Sequence, residues 1–309
     1  MGLAKKYLLK MNILLTGANG FLGRIITQKL EKDNRILSLS RNNGDYQVNL
    51  DKEIPDFLET YDLVIHSAGK AHCVPKTESE KKLFHDVNVI GTENLLKGLE
   101  KHTIPKQFVF ISSVSVYGLE FGKDINEEHQ LEAKDPYGLS KIEAEFLVTK
   151  WCKKHNVVCT ILRLPLLVGE NPPGNLGAMI NAIDKGYYFN IGGGKARKSM
   201  VLAQDVAVFI PKVAIIGGTY NLTDVVHPDF KELSTEISKK RNKKRPYNIS
   251  LLSGRILGFI GDVLGKKSPI NSLKIKKITS DLTFDDSKAK IILNWNPQSV
   301  LDYIKNNNL

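Results

Sequence analysis

The sequence predicts an α/β fold in which a doubly wound parallel sheet is followed by a smaller, mixed C-terminal region. Three observations support this prediction. Short apolar runs alternate with segments of helical periodicity through the first half of the 309-residue chain, as in parallel strands joined by helices. A glycine-rich turn separates the first apolar run from the first helical segment. After Leu164, prolines and glycines interrupt the alternation.

The first strand, turn and helix are encoded by NILLTGANGFLG and the residues that follow it. Gly17, Gly20 and Gly23 are spaced three apart, and apolar residues recur at helical spacing from Phe21 onward. Glycines at such a turn let the backbone approach a pyrophosphate, and the free amides of a helix N-terminus attract anions. The pattern therefore favours a dinucleotide-binding site over an ordinary tight turn.

The later elements follow the same logic of apolar runs and helical periodicity. In chain order the sequence predicts strands at 35–40, 62–66, 106–112, 157–162 and 219–222, and helices at 79–101, 138–155, 176–185 and 204–210. We therefore predict a dinucleotide-binding domain over residues 11–165, to which residues 199–227 return, and a lobe over residues 166–309 that mainly binds substrate.

Composition narrows the class of protein. Hydrophobic residues make up 42% of the chain and charged residues 25%, which is ordinary for a globular protein. No apolar run approaches the roughly 20 residues of a membrane-spanning helix. Three cysteines without CxxC spacing and scattered histidines argue against a disulfide framework and a bound metal, so we expect a cytoplasmic protein. The net charge of +11 suits an anionic substrate, nucleic acid or a membrane surface without choosing among them.

Two short motifs carry candidate chemistry. The sequence PYGLSK contains a YxxxK motif, which puts Tyr137 and Lys141 on one helix face. An ammonium beside a phenol lowers the phenol's pKa from about 10, and such a phenol can exchange a proton with a hydroxyl or a ketone. Ser113 lies at the carboxyl end of a predicted parallel strand, where a hydroxyl faces the ligand crevice. Taken alone, these residues are better explained as a surface pair and a turn-forming hydroxyl.

The order of six motifs along the chain favours the catalytic explanation of these residues over the ordinary one. TGANGFLG, HSAGKAH (residues 66–72), NVIGTENLL, FVFISSVSVYG, PYGLSK and LRLPLLVGENPPGNLG follow one another along the chain. From Met11 to about Asp205 this arrangement resembles the extended short-chain dehydrogenase/reductase family, and within it the nucleotide-sugar epimerases and 4-ketoreductases. The resemblance implies a Rossmann-type fold, an NAD or NADP cofactor and an enzyme that acts on a nucleotide sugar.

The resemblance also implies roles for residues at matching positions. Ser113 would hydrogen-bond the reacting oxygen, Tyr137 would be the catalytic acid and base, and Lys141 would bind the nicotinamide ribose and lower the pKa of Tyr137. The turn at the pyrophosphate would be formed by Gly17, Gly20, Phe21, Leu22 and Gly23. Asn49 and Leu50 would flank the adenine, and Ala68 and Gly69 would lie near the nicotinamide ribose. Asn88 would support the central sheet.

Two more positions would contact the phosphates of the substrate. Asn175 stands in the GNLG sequence, where relatives contact those phosphates. Lys198 stands where relatives often carry arginine. A lysine is a point charge without the planar fork of arginine, so the chain departs from the family pattern at this contact.

The sequence separates this chain from related dehydratases and decarboxylases. Dehydratases of the family follow the catalytic hydroxyl with Asp-Glu, which eliminates water, whereas Val114 and Ser115 follow Ser113 here. The decarboxylating relatives carry a glutamate at the position of Ser115. We therefore expect neither reaction.

The end of the second strand bears on the choice of cofactor. NAD-selective sites place an acidic residue there for the ribose 2′-hydroxyl, but this chain has Ser40 and Arg41. A small residue followed by arginine leaves room and charge for a 2′-phosphate, although a solvated turn arginine is the ordinary explanation. We therefore favour NADP modestly over NAD. A reductase that turns over a soluble cofactor more often uses NADPH than an epimerase that recycles bound NAD.

The C-terminal region contains a basic run followed by an amphipathic segment. Six of the seven residues from Lys239 to Arg245 are basic, which usually marks a solvated face. Apolar residues from Leu251 to Leu264 have helical spacing, and we expect them to pack in the core of the substrate lobe. The alternative is a weak contact of residues 239–264 with a membrane surface. The basic run lacks interleaved aromatic residues, so we do not expect nucleic-acid binding.

The leading hypothesis is an NAD(P)-dependent oxidoreductase that acts at C4 of a nucleotide sugar, with a UDP-linked sugar expected, in cell-surface polysaccharide synthesis. A 4-ketoreductase is slightly preferred, and a 4-epimerase with tightly bound NAD is the alternative. A non-catalytic dinucleotide sensor is less favoured, because Ser113, Tyr137 and Lys141 are all present. The oligomeric state stays open, with a homodimer as one expectation.

We expect the protein to catalyse no 4,6-dehydration, because Val114 and Ser115 cannot supply the acid and base that elimination requires. Incubation with NAD and UDP-N-acetylglucosamine, UDP-glucose or dTDP-glucose should give no alkaline absorbance of 4-keto-6-deoxy products. Accumulation of such a product at a catalytic rate would contradict this expectation.

Overall fold

The computed structural model describes residues 10–71, 75–265, 268 and 271–307. His72, which ends the HSAGKAH motif, and Cys73 lie outside these ranges. Within them, no helix combines the length and the apolar character that crossing a membrane requires. The same residues contain no group of three or more His, Cys, Asp or Glu side chains that could hold a metal ion.

Strands and helices alternate along the first two thirds of the chain. The strands are β1 Asn12–Thr16, β2 Arg35–Ser40, β3 Tyr46–Gln47, β4 Leu63–His66, β5 Gln107–Ser113, β6 Gly122–Ile125, β7 Val158–Leu164, β8 Leu166–Val168, β9 Phe189–Ile191, β10 Met200–Leu202, β11 Gly218–Asn221, β12 Tyr247–Ile249 and β13 Leu282–Phe284. The α-helices are α1 Phe21–Leu30, α2 Glu78–His85, α3 Gly91–His102, α4 Pro136–His155, α5 Gly174–Asp184, α6 Ala203–Ala214, α7 Phe230–Lys240, α8 Leu251–Leu264, α9 Ser272–Thr279, α10 Ser287–Leu293 and α11 Val300–Asn306.

A seven-stranded sheet lies at the centre, with the strand order β11-β7-β5-β4-β1-β2-β3. Every neighbouring pair in it is parallel, which confirms the predicted fold class. The inner strands are continuous apolar runs because both faces of the sheet are covered. Helices α1, α6 and α10 pack on one face, and α3 and α4 pack on the other.

The predicted helix over residues 79–101 is interrupted in the structure. A π-helical turn at Asp86–Ile90 separates α2 from α3. Periodicity cannot reveal this turn, because apolar residues continue at near-helical spacing through it. Such single turns are frequent at functional sites, and this one carries Asn88, whose contacts are described below.

The C-terminal third divides between the sheet and a separate lobe. Strand β11 is the edge of the central sheet and pairs with β7, and Ala289, Leu293 and Trp295 belong to the core on one face of that sheet. Three two-stranded parallel pairs, β10-β8, β12-β9 and β13-β6, lie outside it. The domain boundaries at residues 165 and 166 stay a prediction.

Helix α8 contradicts the expectation that its apolar residues pack in a core. Its three buried residues are glycines, Gly254, Gly258 and Gly261. Its large apolar side chains are exposed, from Leu251 at 38% to Val263 at 74%. The apolar spacing predicted the helix correctly, but the glycines decide which side packs, because only their side lets the helix backbone approach the lobe.

A buried ion pair joins α4 to the sheet. Arg163 on β7 donates to Glu145 on α4 through Nε at 3.1 Å and through a terminal nitrogen at 2.8 Å, and both side chains are at most 7% exposed. The Ser112 hydroxyl donates to the same carboxylate. Arg163 also donates to the Tyr117 hydroxyl at 3.2 Å, which donates to Asn221 at 2.8 Å. The pair therefore fixes α4, β5 and β7 to one another.

We predict that Arg163→Met lowers the free energy of unfolding by about 3–5 kcal/mol, because it leaves the Glu145 carboxylate buried without its partner. Urea unfolding followed by circular dichroism measures the change. The control is Arg35→Met, which breaks the exposed ion pair with Glu59 and should have little effect. Equal effects of the two substitutions would contradict the prediction.

Candidate active site

The glycine turn lies where β1 meets the loop after β4. Gly17 has φ of +72°, and a Cβ there would lie 2.7 Å from the Ala68 backbone nitrogen. A Cβ on Gly23 would lie 2.1 Å from the Gly17 carbonyl oxygen. These two positions therefore require glycine, the first for its conformation and for close approach to Ala68, and the second for the packing of α1 against the turn.

The N-terminus of α1 is open to an anion. Gly20 is its N-cap, no side chain of the described residues caps it, and no acidic residue stands in its first turn. A Cβ on Gly20 would meet only the Gly17 carbonyl, at 3.2 Å. The first amides of a helix lack internal partners and carry partial positive charge, so the turn fits the pyrophosphate of a dinucleotide.

The structure refines the roles expected of Phe21 and Leu22. Leu22 is 6% exposed and belongs to the core beneath the sheet, and the Phe21 ring lies against Gly169. Neither side chain is directed as a ligand contact would require. Only the backbone amides of these residues can serve the anion site.

The adenine flank contains an unpaired acceptor. The Oδ1 atom of Asn49 is buried and has no hydrogen-bond partner among the described residues. A buried acceptor of this kind is costly unless a ligand satisfies it, and an amino group such as that of adenine fits it. Leu50 differs from the expectation, because its side chain is in the core and its carbonyl accepts from Asn94 at 2.8 Å.

Ser40 and Arg41 lie beside the glycine turn at the end of β2. Asn19, within the turn, donates to the Ser40 hydroxyl at 3.1 Å and to the Asn42 carbonyl at 2.7 Å. The Arg41 side chain is exposed. From the sequence alone we assign no role to Asp45, whose carboxylate accepts from the backbone and hydroxyl of Ser38 at 2.8 and 2.6 Å.

Asp45 bears on the selection of the cofactor. The hydrogen bonds from Ser38 lower the pKa of its carboxyl group, so it is ionised at neutral pH. It lines a cavity together with Asn19 and Ser38, next to Ala18 of the glycine turn. A carboxylate therefore lies in a cavity that Asn19 of the glycine turn also lines.

A buried chain of hydrogen bonds starts at the last residue of β1. Thr16 Oγ1 lies 2.6 Å from His66 Nδ1, and His66 Nε2 lies 2.9 Å from Thr92 Oγ1. Thr92 donates its hydroxyl proton to the Asn88 carbonyl at 2.6 Å, so it must accept from His66 Nε2. His66 Nδ1 therefore accepts from Thr16, whose oxygen accepts from the Ala68 amide at 3.1 Å.

This arrangement requires a neutral imidazole. Burial, together with the smaller effect of the Lys141 charge, lowers the pKa of His66 to about 3. A protonated ring would have two donors and would lose the acceptor that Thr16 needs. The His66 ring thus connects the start of the glycine turn to α3 through two hydrogen bonds.

Asn88 extends the connection to the YxxxK helix. Its Oδ1 accepts from the Lys70 amide at 2.7 Å, and its Nδ2 donates to the Lys70 carbonyl at 3.1 Å and to Ser140 Oγ at 2.8 Å. Ser140 in turn donates to the Tyr137 carbonyl at 2.8 Å. Asn88 therefore holds the loop after β4 against α4, rather than the strands as we expected. A Cβ on Gly69 would lie 3.1 Å from Asn88 Oδ1 and 3.5 Å from Lys141 Nζ.

Ser113 and Tyr137 come together at the carboxyl end of β5. A hydrogen bond with Ser113 lowers the pKa of the Tyr137 phenol, but burial outweighs it and raises that pKa above its usual value. Ser113 Oγ also lies 3.1 Å from Ser115 Oγ, to which it donates, and accepts from the Ser115 amide at 3.2 Å. The turn-forming and the catalytic explanations of Ser113 are thus compatible.

Lys141 is placed differently from the expectation. Its Nζ donates to the Ile111 carbonyl at 2.7 Å and lies 4.5 Å from the centre of the Phe110 ring. Burial lowers the pKa of Lys141 to about 8, and the carboxylate of Glu145 opposes this shift. The Lys141 ammonium is not among the groups that lower the pKa of Tyr137. In this structure Ser113, rather than Lys141, lowers that pKa.

The two residues expected at the substrate phosphates lie on separate elements. Asn175 is exposed near the start of α5 and makes no side-chain hydrogen bond with another described residue. Lys198 is partly buried and donates from Nζ to the Lys277 carbonyl on α9 at 3.0 Å. Burial lowers the pKa of Lys198. The structure does not bring these side chains into contact with each other.

Sequence reasoning missed Asn19, His66, Thr92 and Glu145 as parts of this site. His66 stood within a recognised motif and Glu145 lies one helical turn after Lys141, so both signals were present in the sequence. Their partners are distant in the chain, which is why the pattern alone gave them no role.

The comparisons agree with this geometry. Residues 13–221 match the NAD dependent epimerase/dehydratase family, and the chain therefore belongs to that family. The expected family and the expected class of NAD(P)-dependent enzyme are confirmed.

Particular relatives extend the similarity over the whole chain. The N-acetyl-alpha-D-glucosaminyl-diphospho-ditrans,octacis-undecaprenol 4-epimerase of Escherichia coli O157:H7 is 29% identical over 90% of this chain and 88% of its own. The UDP-glucose 4-epimerase of Vibrio cholerae is 27% identical over 94% and 92%. The structure of a UDP-glucose 4-epimerase from Thermotoga maritima with UDP-glucose shares the fold, with a TM-score of 0.72, 20% identity and 96% of both chains covered.

We predict that Tyr137→Phe lowers turnover by about 10²–10⁴-fold, the usual loss when a positioned acid and base is removed, and leaves cofactor affinity unchanged. Cofactor fluorescence titration and product chromatography measure the two quantities. Ser79→Ala, an exposed change on α2, is the control. Full activity of the Phe variant would refute the assignment of Tyr137.

A second prediction follows from the burial of Lys141. Its pKa in the folded state, about 8, lies below the roughly 10.4 of an unfolded lysine. The unfolded state therefore binds more protons between these values, and the lysine becomes less destabilising as the pH rises from 8 to 10. The free energy of unfolding of wild type minus that of Lys141→Met should rise over this range in urea titrations. A flat difference would contradict the buried pKa.

Proposed function

We propose that this protein is a 4-epimerase that acts on a sugar carried by a diphosphate. The observation that carries the proposal is the proximity of Ser113, at the carboxyl end of β5, to Tyr137, whose pKa it lowers, with Lys141 on the same helix as Tyr137. The similarity to two 4-epimerases over at least nine tenths of the chain supports it. A non-catalytic sensor would not need a half-buried tyrosine beside a serine.

The residues divide the chemistry among themselves. Tyr137 takes the proton of the C4 hydroxyl as the sugar is oxidised and returns it as the ketone is reduced. Ser113 hydrogen-bonds the same oxygen and keeps it in reach of the phenol. Lys141 adds positive charge behind the pair. When bound, the nicotinamide cofactor supplies the hydride acceptor and donor, and the turn from Gly17 to Gly23 together with Asn49 would hold it.

The anion contacts support a diphosphate-linked substrate. Lys198 and the exposed Asn175 stand at the two positions expected to contact phosphates, and the chain carries a net charge of +11. The carrier of the diphosphate is a nucleoside, as in UDP-glucose, or a polyprenol, as the name of the Escherichia coli relative states. We propose a role in the synthesis of cell-surface polysaccharide, as the family resemblance suggests.

The second candidate is a 4-ketoreductase, which Arg41 favours. The sequence alone put this candidate slightly ahead. We reverse the order, because both near-full-length relatives described above are 4-epimerases, and because Asp45 adds a carboxylate to a cavity that Asn19 of the glycine turn also lines. The cofactor is then NAD retained through the cycle rather than exchanged NADPH.

Product analysis tests the proposal. The purified protein is incubated with UDP-glucose, UDP-N-acetylglucosamine, N-acetylglucosaminyl diphosphopolyprenol or a UDP-linked 4-keto sugar, with and without added NADPH, and the sugars are separated by chromatography. An epimerase interconverts the gluco and galacto forms without consuming NADPH. Stoichiometric NADPH oxidation on a 4-keto sugar, with no interconversion of epimers, would establish the reductase instead. No reaction beyond that of Tyr137→Phe with any substrate would overturn both candidates.

We predict that Arg41 and Asp45 have opposite effects on the affinity for NADPH, through its 2′-phosphate. A charge-assisted hydrogen bond is worth roughly 1.5–3 kcal/mol, so Arg41→Ala should weaken NADPH binding by about 10–100-fold and leave NADH binding nearly unchanged. Asp45→Asn should strengthen NADPH binding, since it removes a like charge. Fluorescence titration of both reduced cofactors measures these changes. Identical NADPH affinities of wild type and Arg41→Ala would refute the role of Arg41.

A further inference from the structure

Helix α8 presents an apolar surface to solvent. Eight of its side chains are large, apolar and at least 38% exposed: Leu251, Leu252, Ile256, Leu257, Phe259, Ile260, Val263 and Leu264. They lie on one 14-residue helix. A surface helix of a globular protein normally turns such residues inward. Contiguous apolar exposure of this kind marks an interaction site.

Close packing explains why the apolar side faces outward. A Cβ on Gly254 would lie 2.4 Å from Ile191 Cγ2, and a Cβ on Gly258 would lie 3.0 Å from Ile275 Cγ1 and 3.1 Å from Ser272 Cα. The glycine side of α8 therefore sits directly on β9 and α9. No rotation of the helix could bury Phe259 or Val263 without driving larger residues into this contact.

A cationic segment immediately precedes the apolar helix. Lys243, Lys244 and Arg245 are exposed, and none of them forms an ion pair with a described residue. In contrast, Lys239 and Arg241 in the same run are paired with Glu236 and Asp184. Tyr247, the next large side chain, is 78% exposed. Three exposed cations outside any ion pair of the described residues, with an exposed aromatic residue beside an apolar helix, are the features of an interfacial membrane contact.

The same region borders the substrate site. Helix α8 packs on α9, where the Lys277 carbonyl accepts from Lys198. A Cβ on Gly192 would lie 3.6 Å from Leu251 and 3.7 Å from Thr279. The apolar helix is thus one element away from the lysine expected at the substrate's diphosphate.

We propose that α8 and the segment Lys243–Arg245 dock this protein on an anionic lipid bilayer. The apolar side chains enter the interface, and the three cations bind the headgroups. This proposal deepens the proposed function, because docking brings Lys198 to the surface at which a polyprenyl diphosphate sugar presents its headgroup. It commits to the polyprenol as carrier.

Vesicle co-sedimentation of the whole protein tests the docking without any turnover. Wild type should bind vesicles of phosphatidylcholine and phosphatidylglycerol, and should bind pure phosphatidylcholine much more weakly. Leu252→Gln/Phe259→Gln/Val263→Gln should lower the partition coefficient by about 10–100-fold, since three apolar groups leave the interface. Lys243→Gln/Lys244→Gln/Arg245→Gln should lower it on anionic vesicles only, and added salt should do the same.

Matched controls separate docking from general surface effects. Leu58→Gln/Phe146→Gln/Ile291→Gln removes three apolar side chains of similar exposure elsewhere, and Lys32→Gln/Lys101→Gln/Lys153→Gln removes three exposed cations. Both should bind vesicles like wild type, as should Tyr137→Phe. A wild type that does not bind anionic vesicles, or an α8 variant that binds as well as wild type, would overturn the proposal.

Two further measurements complete the test. Sedimentation equilibrium shows whether α8 joins two copies of the chain, and an α8-dependent dimer that ignores vesicles would overturn docking. The α8 variant should also retain activity on a water-soluble UDP-sugar and lose it on the polyprenyl substrate in vesicles. Failure of wild type on every sugar, with vesicle binding intact, would refute the catalytic proposal alone.

Discussion

The arrangement of the site depends on one buried chain of hydrogen bonds through a neutral histidine. Thr16, His66 and Thr92 are each at most 1% exposed, so every polar atom they carry must find a partner within the protein. The direction of each bond follows from the last acceptor, the Asn88 carbonyl, which can only accept. An additional proton on His66 would place one hydrogen-bond donor opposite another at low dielectric constant. The low pKa of His66 prevents this protonation.

This chain connects parts of the site that are far apart in sequence. At one end Thr16 begins the glycine turn and accepts from Ala68, and at the other end Asn88 binds Ser140 on α4. The π-helical turn gives Asn88 the position from which it reaches both Lys70 and Ser140. The turn expected to bind the pyrophosphate and the helix that carries Tyr137 are therefore held in one rigid network. The ion pair of Glu145 and Arg163 fixes the same helix from its other side.

The C-terminal lobe follows a different physical rule from the sheet. In the sheet, apolar side chains fill the layers between strands and helices. In α8 the glycines make the contact and the apolar side chains face solvent. Helix α9, which packs on α8, also supplies the carbonyl that accepts from Lys198, so the apolar surface lies close to the lysine that we propose contacts the substrate's diphosphate.

The features that could be predicted from the sequence are those that follow from local spacing and from the conformation of the backbone. Alternating apolar runs predicted the parallel sheet, the three glycines predicted the turn after β1, and the YxxxK spacing placed Tyr137 and Lys141 on one helix. Each of these rests on residues within a few positions of one another. Gly17 shows the reason most directly, because its positive φ and its contact with Ala68 leave no room for a side chain.

The pairing of distant side chains and the exposure of surfaces could not be predicted, because they depend on contacts between segments that are far apart in the chain. Lys141 donates to a carbonyl 30 residues away, His66 bonds a hydroxyl 50 residues away, and Asp45 lines a cavity together with Asn19 of the glycine turn. The outward face of α8 likewise depends on Ile191 and Ile275, which the helical period cannot reveal. Periodicity identifies an apolar stripe, but the shape of the surface that meets a helix decides whether that stripe or its glycines are buried.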